Sequence, residues 1–198
     1  MVIALCGRSG SGKSAVSAAL EKKGAYVIDA DKIGKNIMSG KVLEKVRKCF
    51  PDCFSGGVLV RAKLAAKVFS DGAALKALNG ITHPEIRKKI ENEIRVKSEK
   101  FDIIIVDAAV LIEAKMTDIA DFTVAVTAPD DIRKERITAR DGLTEKQAEA
   151  RLSAQMADDY YIKNTDYSVV NDGKTPLSVL ADNILERSAE FAKGKRSV

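Results

Sequence analysis

Gly7-Arg8-Ser9-Gly10-Ser11-Gly12-Lys13-Ser14 completes a G-x-x-x-x-G-K-[ST] pattern, and each residue type in it has a chemical reason. Glycines let the backbone curl tightly enough for successive N–H groups to converge on an anion at a helix N-terminus. Gly10, Ser11 and Gly12 form the turn of this cradle. Lys13 brings a point charge to the β- and γ-phosphates of a nucleoside triphosphate, and the Ser14 hydroxyl suits Mg²⁺. A Gly/Ser-rich turn can match by chance, but here an apolar run precedes the pattern and an amphipathic one follows it.

Other residues narrow the chemistry. Asp107 closes the apolar run IIIVD, where a carboxylate can hold Mg²⁺ directly or through water, or simply cap a strand end. Ala108 follows it rather than a glutamate, and no N-K-x-D occurs, so motor ATPases and GTPases fit poorly. Transfer of a phosphoryl group to an acceptor rather than to water is expected. Asp29-Ala30-Asp31 ends a second apolar run, and period-2 alternation would set both carboxylates on one side, at the edge where open α/β sheets bind ligands. There one of them can orient an acceptor hydroxyl and take its proton, with Asp31 further out, or Asp29 merely caps a short helix. Arg133, Arg136 and Arg140 recur at i, i+3, i+7 and would line one helical face, either solvated or closing over a triphosphate. Arg151 and Gln155 are weaker candidates on the next helix, and His83 reads equally as a cap-region histidine or a ligand contact.

The elements that must position these groups are legible as patterns. VIALC (2–6) is a buried parallel strand, SAVSAALEKKG a helix stopped at Gly24, and residues 26–28 a second strand. Helical stretches follow near 41–49, 61–69, 73–80 and 84–98. The last is expected to begin at a Thr82/Glu85 capping box with Pro84 in its first turn. Strands resume at 101–107 and 121–127. A charged helix then runs from Pro129 to about Arg140, and another starts at the Thr144/Gln147 capping box. A fifth strand spans 167–171, ending in an Asn171-Asp172-Gly173 turn, and Thr175-Pro176 opens the last helix. The basic tail 193–198 should fray.

Composition removes several classes. The 198 residues, 45% hydrophobic with 13 glycines and 4 prolines, fit one globular domain with insertions rather than disorder, collagen or coiled coil. No run reads as a signal peptide or membrane span, and three cysteines read as reduced thiols of a cytoplasmic protein. One histidine rules out a multi-histidine metal site, and Cys49 and Cys53 form no paired motif. The net charge of +5 admits anionic partners. Its 33 basic residues are interleaved with 28 acidic ones, however, and with no tryptophan a nucleic-acid platform is disfavoured against a small anionic ligand.

Read in order, the glycine loop, VIDADKI, GGVLVRAKLAAKVFSD, ITHPEI, VDAAVLIE, RITARDGLTEKQAEARLSAQ and SVVNDG resemble the dephospho-CoA kinase family along nearly the whole chain. The glycine loop alone is shared by many families. The aspartate pair, Leu59-x-Arg61-x-x-Leu64 and His83-Pro84 in this order are more specific. The resemblance implies an α/β P-loop fold like the nucleoside-monophosphate kinases, a five-stranded parallel sheet with a helical insertion and a small lid. The core would comprise 1–30, 101–128 and 158–198, the insertion 31–100 and the lid 129–157. It further implies transfer of the ATP γ-phosphate to the ribose 3′-hydroxyl of dephospho-CoA, with Mg²⁺. Gly10 to Ala15 would hold ATP phosphates, Asp31 would be the base, and Arg140 with Arg136 would clamp the phosphates. Ser14 and Asp107 would serve the metal, and Asp29, Arg61 and His83 the acceptor. The chain departs from the family pattern at Arg8, Ser9 and Ala15, where backbone contacts dominate, and at Val60 and Ala109, near the acceptor. A kinase for another small acceptor and a non-catalytic nucleotide sensor are the rival readings, and the oligomeric state stays open. On the leading one, Lys13→Ala nearly abolishes turnover in a protein that stays folded.

Overall fold

The computed structural model describes residues 1–195. Among them are two compact units, Met1–Asp29 with the chain from Glu93 onward, and Ala30–Asn92. The first opens with β1 (Val2–Cys6), α1 (Lys13–Lys22) and β2 (Tyr26–Asp29). In the second are α2 (Ala30–Asn36), α3 (Gly40–Cys49), the small hairpin β3 (Phe54–Ser55) and β4 (Val58–Leu59), and α4 (Arg61–Ser70). Next comes α5 (Gly72–Lys97), whose residues from Glu93 count with the first unit. There the chain continues as β5 (Ile104–Asp107), β6 (Phe122–Thr127), α6 (Asp130–Asp141), α7 (Glu145–Ser153), α8 (Asp158–Lys163), β7 (Tyr167–Val170) and α9 (Leu177–Lys195).

The main sheet has the order β2-β5-β1-β6-β7 and is parallel throughout. β1, β5 and β6 are apolar on both faces because both faces are covered. On one face Val16 and Leu20 of α1 and Leu180, Ala181 and Ile184 of α9 meet Ile3, Leu5, Ile105, Val124 and Val126. The helical residues recur three to four apart and the strand residues two apart, so each element offers one continuous stripe. The chain leaves β1 for β2, then places β5 on one side of β1 and β6 on the other. The carboxyl end of β1 is therefore the switch point where open α/β sheets bind ligands.

The α6–α7 hairpin has its own small core of Ile137, Ala148 and Leu152, with Leu143 against it. Gly142 ends α6 in the left-handed region at φ 65, and its N–H bonds Thr138 O at 3.0 Å. The Thr144/Gln147 capping box forms in both directions. In the second unit Val42, Val46, Phe50, Cys53, Leu64 and Ala74 form a separate apolar cluster.

Several local expectations need correction. No break separates 73–80 from 84–98, for α5 is continuous through Pro84. Asp71 caps its start, accepting from Ala73 N and Ala74 N at 2.8 and 3.2 Å. Thr82 forms no capping box and instead turns its hydroxyl back to Leu78 O at 3.0 Å. Burial of Ala74, Thr82 and Ile90 along one helix outweighs the single N–H that proline lacks. His83 is accordingly a mid-helix residue. The strand expected from 101 begins at Ile104, since Phe101 N still bonds Lys97 O at the helix end. The short α2 and α8 and the small hairpin lacked a periodic signal long enough to read. α9 remains helical to Lys195, and the end of the tail expected to fray lies outside the described residues.

Candidate active site

The loop between β1 and α1 takes its shape from what surrounds it. A Cβ on Gly7, at φ 144, would lie 2.2 Å from Val126 O, so only glycine lets the loop leave β1 this close to β6. Gly12 is the N-cap of α1 at φ 80, ψ 22, and its carbonyl accepts from Ala15 N and Val16 N. The first-turn amides of α1 thus stand at the carboxyl end of the sheet, where the helix dipole favours an anion.

Lys13 and Asp107 are brought together. The Lys13 ammonium donates to Asp107 Oδ1, and the Ser17 hydroxyl donates to Oδ2 at 2.9 Å, all three groups being buried. Sheet register sets Asp107 beside Leu5 on one side and Asp29 on the other. Asp29 therefore ends its strand level with Asp107 and stands directly before the first residue of α2. Asp31 does not continue the alternation, because α2 begins at Ala30 and carries Asp31 in its first turn. Ser14 is exposed on the first turn of α1.

The three arginines of α6 have three different surroundings. Arg133 is 2% exposed and bonds Asp130 and Asp158, the latter at 2.6 Å, which ties α6 to α8. Its hydrogen bond draws the Asp130 carboxyl below the usual range. Arg140 is held by Asp141 through two bonds of 2.8 Å, and Arg151 binds the same carboxylate. The hydrogen bond from Arg140, helped by Arg151 and opposed by desolvation, brings the Asp141 carboxyl down to about 2. Arg136 instead reaches the glycine loop, donating from Nη1 to Gly10 O, Ser11 O and Asn171 O at 3.2–3.4 Å.

Other side chains also meet the loop, among them Gln155, a weaker candidate in the sequence, and Asn171, which the sequence shows only as a turn residue. Asn171, 4% exposed, donates from Nδ2 to Ser11 O at 3.0 Å. Arg8 Nη2 donates to Leu152 O at 2.7 Å, and Ser9 N donates to Gln155 Oε1 at 2.9 Å. Ser9 thus does act through its backbone, whereas Arg8 acts through its side chain. At the base of the loop, burial, seconded by Glu113 and opposed by Lys13, pushes the Cys6 thiol up to about 12. The three cysteines are all free thiols.

In the second unit Arg61 opens α4 and donates to Lys35 O at 3.3 Å. His83 is half-buried, and desolvation lowers its pKa below the ordinary imidazole value. This unit holds 13 Lys and Arg against 6 Asp and Glu, a net +7, more than the whole chain's +5.

A glycine loop at the switch point of a parallel sheet, its lysine beside a strand-end aspartate, places the molecule among the P-loop kinases. The model of the dephospho-CoA kinase family matches residues 1–176. A curated dephospho-CoA kinase from Corynebacterium diphtheriae is 37% identical over 194 residues, 95% of this chain and 97% of the relative. A solved structure from Thermus thermophilus superposes with a TM-score of 0.78 at 32% identity, covering 98% of this chain and 97% of that one. The dephospho-CoA kinase of Campylobacter jejuni shares the fold, with a TM-score of 0.67 at 24% identity over 98% of both chains. The chain belongs to the dephospho-CoA kinase family.

Proposed function

We propose that the protein transfers the γ-phosphate of ATP to the ribose 3′-hydroxyl of dephospho-CoA, the step that completes coenzyme A. The observation that carries this is family membership over residues 1–176, on a chain whose phosphate loop is complete. The net +7 of the second unit supports a polyanionic acceptor, since dephospho-CoA carries a diphosphate. Residues 31–100 bind that acceptor, with Asp29, Arg61 and His83 as contacts, and 129–157 act as a lid. The protein works in the cytoplasm; among the described residues no helix is long and apolar enough to cross a membrane.

Catalysis is positioning plus electrostatics, as for phosphoryl transfer generally. Gly10 to Ala15 grip the ATP phosphates through backbone amides, and Lys13 turns from Asp107 toward the β- and γ-phosphates. Asp31 accepts the proton of the 3′-hydroxyl as its oxygen bonds the γ-phosphorus. The bond from that phosphorus to the β–γ bridging oxygen breaks, and its electron pair leaves on ADP. Arg140, released from Asp141, neutralises charge building on the transferring group, while Arg136 stays against the loop carbonyls. Ser14 and Asp107 offer hard oxygens, a donor set that fits Mg²⁺, which typically takes one or two protein ligands beside substrate phosphates. Bound there, the ion would neutralise the phosphate charge.

The test is ADP release with dephospho-CoA, AMP and adenosine as competing acceptors. Strong preference for dephospho-CoA is expected, and preference for AMP would transfer the reading to a nucleotide kinase. ATP binding with no transfer to any acceptor would make the protein a sensor. Asp31→Asn should lower kcat far more than it weakens ATP binding, with Asp29→Asn acting mainly on the acceptor KM. Near-native kcat in Asp31→Asn would remove that residue from its role.

A further inference from the structure

An anion cradle built from N–H groups has an outer surface built from carbonyls, because the two halves of a planar trans peptide point in opposite directions. When Gly12 N–H faces the phosphates, Ser11 C=O must face away from them. Buried carbonyls need donors, and this structure supplies them from two distant elements. Asn171 Nδ2 donates to Ser11 O at 3.0 Å, and Arg136 Nη1 approaches the same oxygen at 3.4 Å and Gly10 O at 3.3 Å. The two side chains are also joined, Arg136 Nη2 donating to Asn171 Oδ1 at 3.3 Å and Nη1 to Asn171 O at 3.2 Å. Gly12 admits this arrangement, since its Cβ would lie 2.0 Å from Asn171 Nδ2 and 3.3 Å from Arg136 Nη1.

We propose that Asn171 and Arg136 are positioning residues for phosphate binding: from behind the loop they fix the Ser11–Gly12 peptide so that its N–H points at the anion. This rests on the nucleotide-binding reading of the loop and goes beyond the clamp role that the family resemblance assigned to Arg136. A clamp reaches the transferring group from the front and has no use for Asn171. The brace requires the amide nitrogen specifically. Asn171→Asp keeps the shape and the acceptor for Arg136, but sets a carboxylate oxygen against the Ser11 carbonyl.

The experiment titrates inorganic tripolyphosphate, which has no base or ribose, and ATP into wild type, Asn171→Asp, Arg136→Ala and the double variant. Steady-state kinetics follow on each. Both single variants should raise the Kd for tripolyphosphate and the KM for ATP about ten-fold or more, the scale of one lost buried hydrogen bond. The KM for dephospho-CoA should stay put, and the double variant should be little worse than either single, since the two residues form one unit. General loss of folding would lower the active fraction without this split. If Asn171→Asp does not fold, Asn171→Ser and Arg136→Lys carry the same comparison with milder change. A tripolyphosphate Kd within two-fold of wild type in the Asn171 variant overturns the brace. So does full additivity, which would make the two residues act independently rather than as one unit. Failure of wild type to bind tripolyphosphate or ATP overturns the kinase reading, and the brace falls with it.

Discussion

Replacing Gly12 by alanine brings together two penalties, and a second glycine in the same unit lets them be separated. Gly12 sits at φ 80, ψ 22, a left-handed conformation that costs a residue with a Cβ about 1–2 kcal/mol. The new methyl would also stand 2.0 Å from Asn171 Nδ2, so the amide must swing away from Ser11 O and a buried hydrogen bond is lost, for about 1–3 kcal/mol. The sum is about 2–5 kcal/mol. Gly24, at φ 94 with nothing within 4 Å of a Cβ, bears the first penalty only, about 1–2 kcal/mol. At about 2–4 °C per kcal/mol for a chain of this length, Gly12→Ala should melt about 10 °C below wild type and Gly24→Ala about 4 °C below. Calorimetry measures both, and titration with ATP adds a second reading: Gly24→Ala should bind as wild type does, Gly12→Ala hardly at all. Equal melting points for the two variants would mean that Asn171 does not occupy the space behind the loop, and the reasoning would fail.

Lys13→Ala should abolish turnover, but the buried pair changes what the motif alone suggests about stability. It strands the Asp107 carboxylate, 6% exposed, without its cation, which typically costs about 3–5 kcal/mol. Urea melts should show that loss, and Lys13→Ala/Asp107→Asn should regain most of it while remaining inactive; a single variant as stable as wild type would deny the pair. Thr144→Ala, by removing a capping box, should cost about 1 kcal/mol and lower the melting point by about 2–4 °C, with no change if the box does not persist in solution. At pH 8 a thiol reagent should label exposed Cys49 quickly and buried Cys6 and Cys53 only on unfolding. The Cys6 thiol is raised from 9.0 to about 12, so the unfolded chain loses that proton first and native stability falls across this window as pH rises. Cys6→Ala should flatten the pH dependence of the urea midpoint there, and identical slopes would contradict the raised thiol.

Legibility in the sequence followed the range of the interaction involved. β1 and β6 were readable because a strand covered on both faces is a nearly continuous apolar run, broken in β6 only by Thr123 and Thr127, and the Thr144/Gln147 box because both of its bonds lie within four residues. Pro84 misled because the rule that sets proline in the first turn of a helix is local, whereas the burial that carries α5 past it is tertiary. Asp31 misled for a related reason. Alternation was extended two residues beyond where the strand hydrogen bonds end, and a new helix had already begun at Ala30.

The front of the site was visible for the same reason that its back was not. The groups proposed to face phosphate come from consecutive residues, Gly10 through Ser14, so their chemistry is printed in one motif. The carbonyls behind them find donors wherever the fold supplies one, and Asn171 lies 160 residues from Ser11 in the chain. Its segment, Asn171-Asp172-Gly173, reads as an ordinary turn because those residue types do make turns, and the structure shows the Asp172 carboxylate doing so, accepting from Lys174 N and Thr175 N. What the turn signal omits is that the first residue of such a turn, at the carboxyl end of a strand two places from β1, can reach the outer surface of the loop. Arg136 follows the same logic, since an i, i+3, i+7 pattern says which residues share a face but not that Arg133 is buried between aspartates while its neighbour one turn on meets the loop. A glycine loop that turns its amides inward therefore implies donors at its back, and the residues to examine for them stand at the ends of the strands and helices flanking β1.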